Sequence, residues 1–353
     1  MNQIVVGVIG CGKIANAAHI PAYINNPGVT IKYFCDIIPR RAEDAVSQYG
    51  VGIAMEDYRA VLNDPEVRAV SVCTPNAAHK TITIDALHAG KDVLCEKPAA
   101  RTYSEALEMY RAQQETGRIL NIGVVNRFNK KVNEIRKLVE EGALGNIYHV
   151  YISFRAPRSI PGLGGPFTTK AIAGGGALID WGVHYIDLVQ YIVGDPKPLT
   201  VSGKTFSVLG VDMPSYAYES MWAGPPDYNG TYDVEDSVTG FIRTEGPTYS
   251  LNGAWAQNIF VHDTFIDFLG DKAGIRLQYG GNFTFYTIRE GKMVSETPPD
   301  AEDPMYQTEI DAFIENVRNG GKITSCIDNA LVTSRIMQAL YDSSAAGREI
   351  VLS

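Results

Sequence analysis

Ile4-Val5-Val6-Gly7-Val8-Ile9-Gly10-Cys11-Gly12-Lys13-Ile14-Ala15 is the stretch that decides the fold. Its first half is a short apolar run and reads as a buried strand; its second half fits G-x-G-x-x-[G/A], and a helical pattern follows from Lys13 to Ile24. Gly10 allows the tight turn, Gly12 lets the backbone approach a pyrophosphate, and Ala15 leaves room for the helix to pack on the strand. Lys13 and Ile14 complete the turn, and the helix start offers free N–H groups and the positive end of its dipole. A bare match of this kind is weakly specific. Here it lies between a strand and a helix, and Asp36 closes the next strand where a ribose-binding carboxylate belongs. A carboxylate there accepts hydrogen bonds from ribose hydroxyls and repels a 2′-phosphate, so NAD is favoured. Arg40 and Arg41 could take a phosphate, which keeps NADP as the alternative, although a solvated helix start carries such arginines anyway.

Outward from this turn, short β-branched runs alternate with helical ones. Strands are expected at Thr30–Cys35, Ala69–Cys73, Asp92–Cys95 and Ile119–Gly123, and helices at Arg40–Tyr49, Ala77–Ala89 and Tyr103–Thr116. This predicts an α/β Rossmann domain over residues 1–125, with a parallel sheet covered on both faces. From 126 to 353 the pattern changes. Lys130–Glu141 reads as an amphipathic helix, while Tyr148–Phe154, Val238–Arg243, Thr248–Trp255 and Thr264–Leu269 alternate as strands. Ala177–Val193 reads as one helix between them. A final helix, about 328–346, is free to pack back on the first domain. The second domain is therefore expected to be α+β with a large, mostly antiparallel, open-faced sheet. Two loops are unusually long, Arg155–Gly176 and Met213–Asp233, and the latter carries Tyr216, Tyr218, Trp222, Tyr228 and Tyr232.

The 353 residues suit two domains, and 45% hydrophobic with 20% charged residues is a globular composition. A net charge of −9 argues against nucleic acid or an anionic membrane surface as partner. Neither a secretory leader at Met1–Val6 nor an apolar run of about 20 residues is present, so a cytoplasmic location is expected. Five cysteines without a C-x-x-C pair (Cys11, Cys35, Cys73, Cys95, Cys326) read as free thiols. No metal is expected, because His19, His79, His88, His149 and His262 offer no ligand spacing with His184.

Two further segments carry chemistry. Glu96-Lys97-Pro98 follows the strand Asp92–Cys95, and a lysine there projects into the crevice where open α/β sheets bind ligands. A surface lysine paired with Glu96 is the plainer reading. The second is Gly174-Gly175-Gly176-Ala177-Leu178-Ile179-Asp180-Trp181-Gly182-Val183-His184, where Asp180 and His184 stand at i and i+4 on one helix face. A core histidine bonded to a helix carboxylate is the alternative.

Taken together, the N-terminal nucleotide turn, Glu-Lys-Pro and Gly-Gly-Gly-x-x-x-Asp-x-x-x-His resemble the Gfo/Idh/MocA oxidoreductases, the family of glucose–fructose oxidoreductase and inositol dehydrogenase. Cys73-Thr74-Pro75-Asn76 with His79, Asn126-Arg127-Phe128 and Val234-Glu235-Asp236 extend the likeness along nearly the whole chain. The resemblance implies that Lys97 and His184 contact the reacting hydroxyl, with Asp180 orienting or sharing a proton with His184. It puts Thr74, Pro75, Asn76 and His79 with the cofactor and Glu96 near its nicotinamide ribose. Arg127 and Arg155 match less well and remain candidates for substrate contact, and nothing carries over to Asn126. The implied activity is hydride exchange between nicotinamide and a secondary hydroxyl of a sugar, sugar derivative or cyclitol, in a homodimer or homotetramer. The aromatic loop Met213–Asp233 suits stacking on a sugar, or a lid or subunit contact. The family also includes NAD-dependent glycoside hydrolases with transient C3 oxidation and non-catalytic sugar-responsive regulators, which are the two alternative functions.

Overall fold

The computed structural model describes residues 3–219 and 221–352. Met1 and Asn2 of the N-terminal reading, Ser220 of the aromatic loop and Ser353 lie outside the described residues. The chain divides into two compact units, residues 1–128 with 304–331, and residues 129–303 with 332–353.

In the first unit, β1 (Ile4–Ile9), β2 (Val29–Cys35), β3 (Ile53–Met55), β4 (Ala69–Val72), β5 (Asp92–Glu96) and β6 (Leu120–Gly123) form one sheet in the order β3-β2-β1-β4-β5-β6. Every neighbouring pair is parallel. All residues of β4 and β5 are buried, as strands covered on both faces must be. Val6 and Val8 enter one core with Ile310, Phe313 and Ile314, and Ile9 enters the other with Val70, Val72 and Ile82. The strand order reverses between β1 and β4, the crevice in which such sheets bind ligands.

The helix Met305–Asn319, absent from the sequence reading, belongs to this unit and presents Ile310, Phe313, Ile314 and Val317 to the core. It also buries Glu309, whose Oε1 has no hydrogen-bond partner among the described residues. Burial holds the Glu309 carboxyl well above the usual carboxylate range, and the charge of Glu96 adds to the effect. A carboxyl with a raised native pKa gives up its proton more readily when unfolded, so its contribution is favourable at low pH and is lost as pH rises through the native value. In Glu309→Gln, the stability lost as pH rises above the ordinary carboxylate range is therefore expected to be smaller than in the wild type. Calorimetry across that rise checks this, and parallel slopes would count against a protonated Glu309.

In the second unit, β7 (Ile147–Arg155), β8 (Pro198–Phe206), β9 (Ser237–Thr244), β10 (Thr248–Ala254), β11 (Asp263–Gly270), β12 (Ala273–Gln278), β13 (Phe283–Arg289), β14 (Lys292–Glu296) and β15 (Ile350–Val351) form a second sheet. The order is β14-β13-β12-β11-β7-β10-β9-β8-β15, antiparallel except between β7 and β10. Val150, Ile152, Phe154, Ile266 and Phe268 pack inward against Tyr185, Ile186, Val189 and Leu340. The other face carries Tyr151, Phe241, Phe265 and Tyr286, with an Asp267–Arg276 ion pair among them.

Two helices depart from the α geometry expected. The first helix opens with a π-turn, Ala15–His19, before Ile20–Asn25, and Ala177–Val193 is a π-turn, Leu178–Gly182, followed by an α-helix, Val183–Ile192. Gly182 permits the second widening: a Cβ there would stand 2.8 Å from Leu178 Cδ1 and 3.3 Å from Phe154. Such turns are common at functional sites.

Candidate active site

The first unit supplies a dinucleotide cradle. Gly10 has φ of +92°, and a Cβ on it would lie 2.5 Å from the Cys73 carbonyl oxygen, so glycine is required twice over. A Cβ on Gly12 would meet nothing within 4 Å, which leaves open space above the turn for a pyrophosphate. Ala15 is fully buried at the helix start, and Lys13 is exposed. Asn16, which the sequence reading passed over, donates to the carbonyls of Cys11 and Gly12 and braces the turn. At the end of β2 the Asp36 carboxylate accepts the N–H of Cys11 and of Ile38, each at 2.9 Å, which fixes it over the turn with lone pairs left for ribose hydroxyls. Arg41 is exposed beyond it. The residues present therefore fit a dinucleotide.

Along the crevice, Thr74, Pro75 and Asn76 follow β4, with Pro75 exposed and Asn76 opening the helix Asn76–His88. His79 is buried, its ring nitrogens each 2.8 Å from the carbonyl oxygens of Thr74 and Pro98. It ties together the two turns that border the crevice. Burial pulls its pKa below the usual histidine range, against the pull of those carbonyls. Lys97 follows β5, is half-buried, and precedes a cis peptide bond to Pro98. The Glu96 side chain turns inward and meets His19 Nε2 at 2.8 Å, while its other oxygen accepts the Lys97 N–H at 3.2 Å. Burial opposes the charge on Glu96, yet the His19 hydrogen bond and nearby positive charge hold its pKa below the ordinary range. Arg127 is also buried and donates to the Thr324 carbonyl at 3.1 Å.

The second unit carries Asp180 and His184. The three glycines before them do different things. Gly174 has φ of +88° and ends the short helix Lys170–Ala173; a Cβ on Gly175 would fall 2.0 Å from the Tyr341 hydroxyl, and one on Gly176 would fall 2.0 Å from the Glu235 carbonyl oxygen. Glu235 explains the Val234-Glu235-Asp236 segment. Its Oε1 accepts the Leu178 N–H at 3.0 Å and the Tyr341 hydroxyl at 2.8 Å, so a buried carboxyl seats the first turn of the helix. Burial raises the Glu235 pKa even so. Asp236 accepts three successive N–H groups, from Val208, Leu209 and Gly210, and pins that loop. Asp180 lies in the π-turn, buried, and the half-buried His184 ring lies 6.5 Å from the Tyr279 ring.

Gly176→Ala must force the backbone at Glu235 away, and a core strain of this kind costs roughly 1–3 kcal/mol. A loss of Tm of several degrees is expected, together with loss of activity. An unchanged Tm would show that the close approach is not required.

Arg155 pairs with Asp263 and donates to Ser153 at 3.1 Å. It lines a cavity of about 360 Å³ with Asp236, Asn252 and Gln257, a cavity that neither Asp180 nor His184 borders. In the aromatic loop, Tyr216, Tyr218 and Tyr232 pack against a small core around Trp255, Ile160 and Ala177. Trp222 and Tyr228 remain exposed, Trp222 edge-on to Phe167 at 4.9 Å. Among the described residues no group of three or more His, Cys, Asp or Glu side chains could hold a metal ion, and no helix is long and apolar enough to cross a membrane.

Residues 4–124 match the oxidoreductase family with an NAD-binding Rossmann fold, and residues 132–276 match the GFO/IDH/MocA C-terminal domain. The chain is 30% identical over 350 residues to D-glucoside 3-dehydrogenase of Escherichia coli (strain K12), covering 98% of this chain and 97% of that one. It is 31% identical over 264 residues to levoglucosan dehydrogenase of Pseudarthrobacter phenanthrenivorans, covering 69% of this chain and 65% of that one. The structure of a levoglucosan dehydrogenase with NADH and levoglucosan superposes with a TM-score of 0.87 over 99% of both chains at 23% identity, a likeness of fold. This chain belongs to the Gfo/Idh/MocA family of oxidoreductases.

Proposed function

We propose that the protein is an NAD-dependent dehydrogenase or reductase acting on a secondary hydroxyl of a sugar, sugar derivative or cyclitol. The observation that carries this is end-to-end likeness to D-glucoside 3-dehydrogenase in a chain that has both Lys97 after β5 and Asp180 with His184 behind three glycines. In this reading residues 1–125 bind the cofactor through Gly10, Gly12, Lys13, Ile14, Ala15, Asp36, Thr74, Pro75 and Asn76. Asp36 sets a preference for NAD over NADP, and Arg41 is the fallback for a 2′-phosphate. Residues 126–353 bind the substrate, with Arg155 and the exposed Trp222 as candidate contacts, and pair with a second copy through the open sheet face. Five free cysteines suit a reducing, cytoplasmic setting.

When bound, the nicotinamide ring exchanges a hydride with the carbinol carbon. The chain must position that carbon and remove the hydroxyl proton. Ionising an alcohol of pKa ~16 at pH 7 spans roughly 9 units, or about 12 kcal/mol. A lysine ammonium about 4 Å away supplies about 4 kcal/mol at an effective dielectric near 20. Charge alone falls short, so His184 takes the proton in step with hydride departure and Asp180 stabilises the imidazolium that results.

Absorbance at 340 nm, followed while glucosides, anhydrosugars and inositols are added with NAD or NADP, tests the proposal. NADH formation with at least one polyol, and faster with NAD than with NADP, is expected. Activity confined to carbonyl compounds that are not polyols would overturn it.

A further inference from the structure

Four buried side chains form a continuous hydrogen-bond chain beneath Lys97. Tyr23 OH lies 2.7 Å from Ser71 Oγ, Ser71 Oγ lies 3.1 Å from His19 Nδ1, and His19 Nε2 lies 2.8 Å from Glu96 Oε1. Glu96 Oε2 accepts the Lys97 N–H. The four come from separate places: His19 ends the π-turn that follows the dinucleotide turn, Tyr23 lies one turn further on, Ser71 is on β4 and Glu96 ends β5. Donor directions are consistent along the whole chain. Tyr23 OH can donate to Ser71 Oγ, Ser71 Oγ to His19 Nδ1, and His19 Nε2–H to the Glu96 carboxylate.

Glu96 has little freedom to find other partners. It is 6% exposed, and Gly123 on the paired β6 stands so near that a Cβ there would lie 2.9 Å from Glu96 Oε1. An ionised carboxylate so enclosed requires its hydrogen bonds.

We propose that His19 is a positioning residue for Lys97: it passes a buried hydrogen-bond chain from the helix of the dinucleotide turn to the carboxylate that holds the Lys97 backbone. This rests on the reading of Lys97 as the residue that contacts the reacting hydroxyl. The chain joins the phosphate end of the crevice to its reacting end, so cofactor-turn helix and lysine move as one body. Without His19 the Glu96 carboxylate loses its partner and no longer fixes the Glu96–Lys97 peptide. A displacement of a reacting group by about 1 Å costs on the order of 100-fold in rate.

The test compares His19→Ala, His19→Gln and Lys97→Ala in the full chain with a sugar that the wild type oxidises. The readouts are kcat, KM for the sugar, Tm, and NADH affinity from nucleotide fluorescence. His19→Ala is expected to lower kcat roughly 30- to 100-fold with NADH affinity and sugar KM within about threefold of wild type. His19→Gln, whose amide N–H still reaches toward Glu96, is expected to recover about tenfold of that loss. A kcat within about twofold of wild type in His19→Ala overturns the proposal. So does a parallel loss of kcat, NADH affinity and Tm that Gln does not relieve, which marks general damage. If His19→Ala does not fold, Ser71→Ala removes the donor one step back; about a threefold to tenfold fall in kcat supports the chain and an unchanged kcat overturns it. Lys97→Ala separates the two levels: full turnover there sinks the functional reading itself, whereas an inactive Lys97→Ala beside an unaffected His19→Ala sinks only the role of His19.

Discussion

Lys97→Ala is expected to lower kcat for alcohol oxidation by about 10³-fold while NADH affinity stays within a few-fold of wild type. The size follows from the electrostatics: one ammonium near a developing alkoxide supplies about 4 kcal/mol, and each 1.36 kcal/mol is about tenfold in rate. The selectivity follows from the geometry. The pyrophosphate cradle is built by Gly10, Gly12 and the helix that Asn16 braces, and Asp36 is fixed by backbone N–H groups of Cys11 and Ile38. None of those contacts involves the Lys97 side chain. Pre-steady-state absorbance at 340 nm reads the hydride step directly. A variant within about tenfold of wild type would remove Lys97 from the chemistry.

The second large effect belongs to His184. His184→Asn is expected to lower turnover by about 10²- to 10⁴-fold, the worth of a positioned general base in the role proposed for His184. The pH profile distinguishes this from simple loss of packing. In the wild type, kcat/KM for oxidation is expected to fall toward low pH as the imidazole takes up its proton and ceases to act as base. In His184→Asn that acid limb should vanish. Asp180→Asn should keep the limb and depress turnover less severely than His184→Asn. Retention of the wild-type profile in His184→Asn would exclude it as the base.

The Rossmann half was legible because its signals are local. Apolar runs such as Ile4–Ile9 and Asp92–Cys95 sit between helix-length segments, and Gly10 and Gly12 mark a turn whose geometry admits few residues. What escaped notice was short, exposed or distant. β3 has three residues, and β14 includes the exposed Lys292 and Met293, so neither shows the alternation that marks a half-buried strand. The helix Met305–Asn319 did carry a signal, since Ile310, Phe313, Ile314 and Val317 stand at i, i+3, i+4 and i+7. Its membership of the first unit, over 180 residues beyond β6, was not written anywhere in that pattern.

The site divides in the same way. Lys97, Asp180 and His184 were readable as residue types at characteristic places. The partners that seat them were not: His19 meets Glu96 across 77 residues, and Glu235 meets Leu178 across 57. Glu96 and His79 read as groups facing the cofactor, yet their polar atoms are engaged with His19, Thr74, Pro98 and the Lys97 N–H. The π-turns have no sequence signature; in Leu178–Gly182 the close packing shows only in Gly182, where a Cβ would stand 2.8 Å from Leu178 Cδ1 and 3.3 Å from Phe154.

The widened turn at Leu178–Gly182 bears on how the enzyme can be altered. The turn Leu178–Gly182 holds one residue more than an α-turn would need. Deleting one residue there would close the turn to ordinary α geometry: Tyr185, Ile186 and Val189 would keep their places in the core, while the backbone that carries Asp180 would shift. Point substitutions in this segment can be sampled one by one, but its length is quantised. A library that varies loop lengths around the substrate should hold 178–182 at constant length and seek its diversity in the loops on either side.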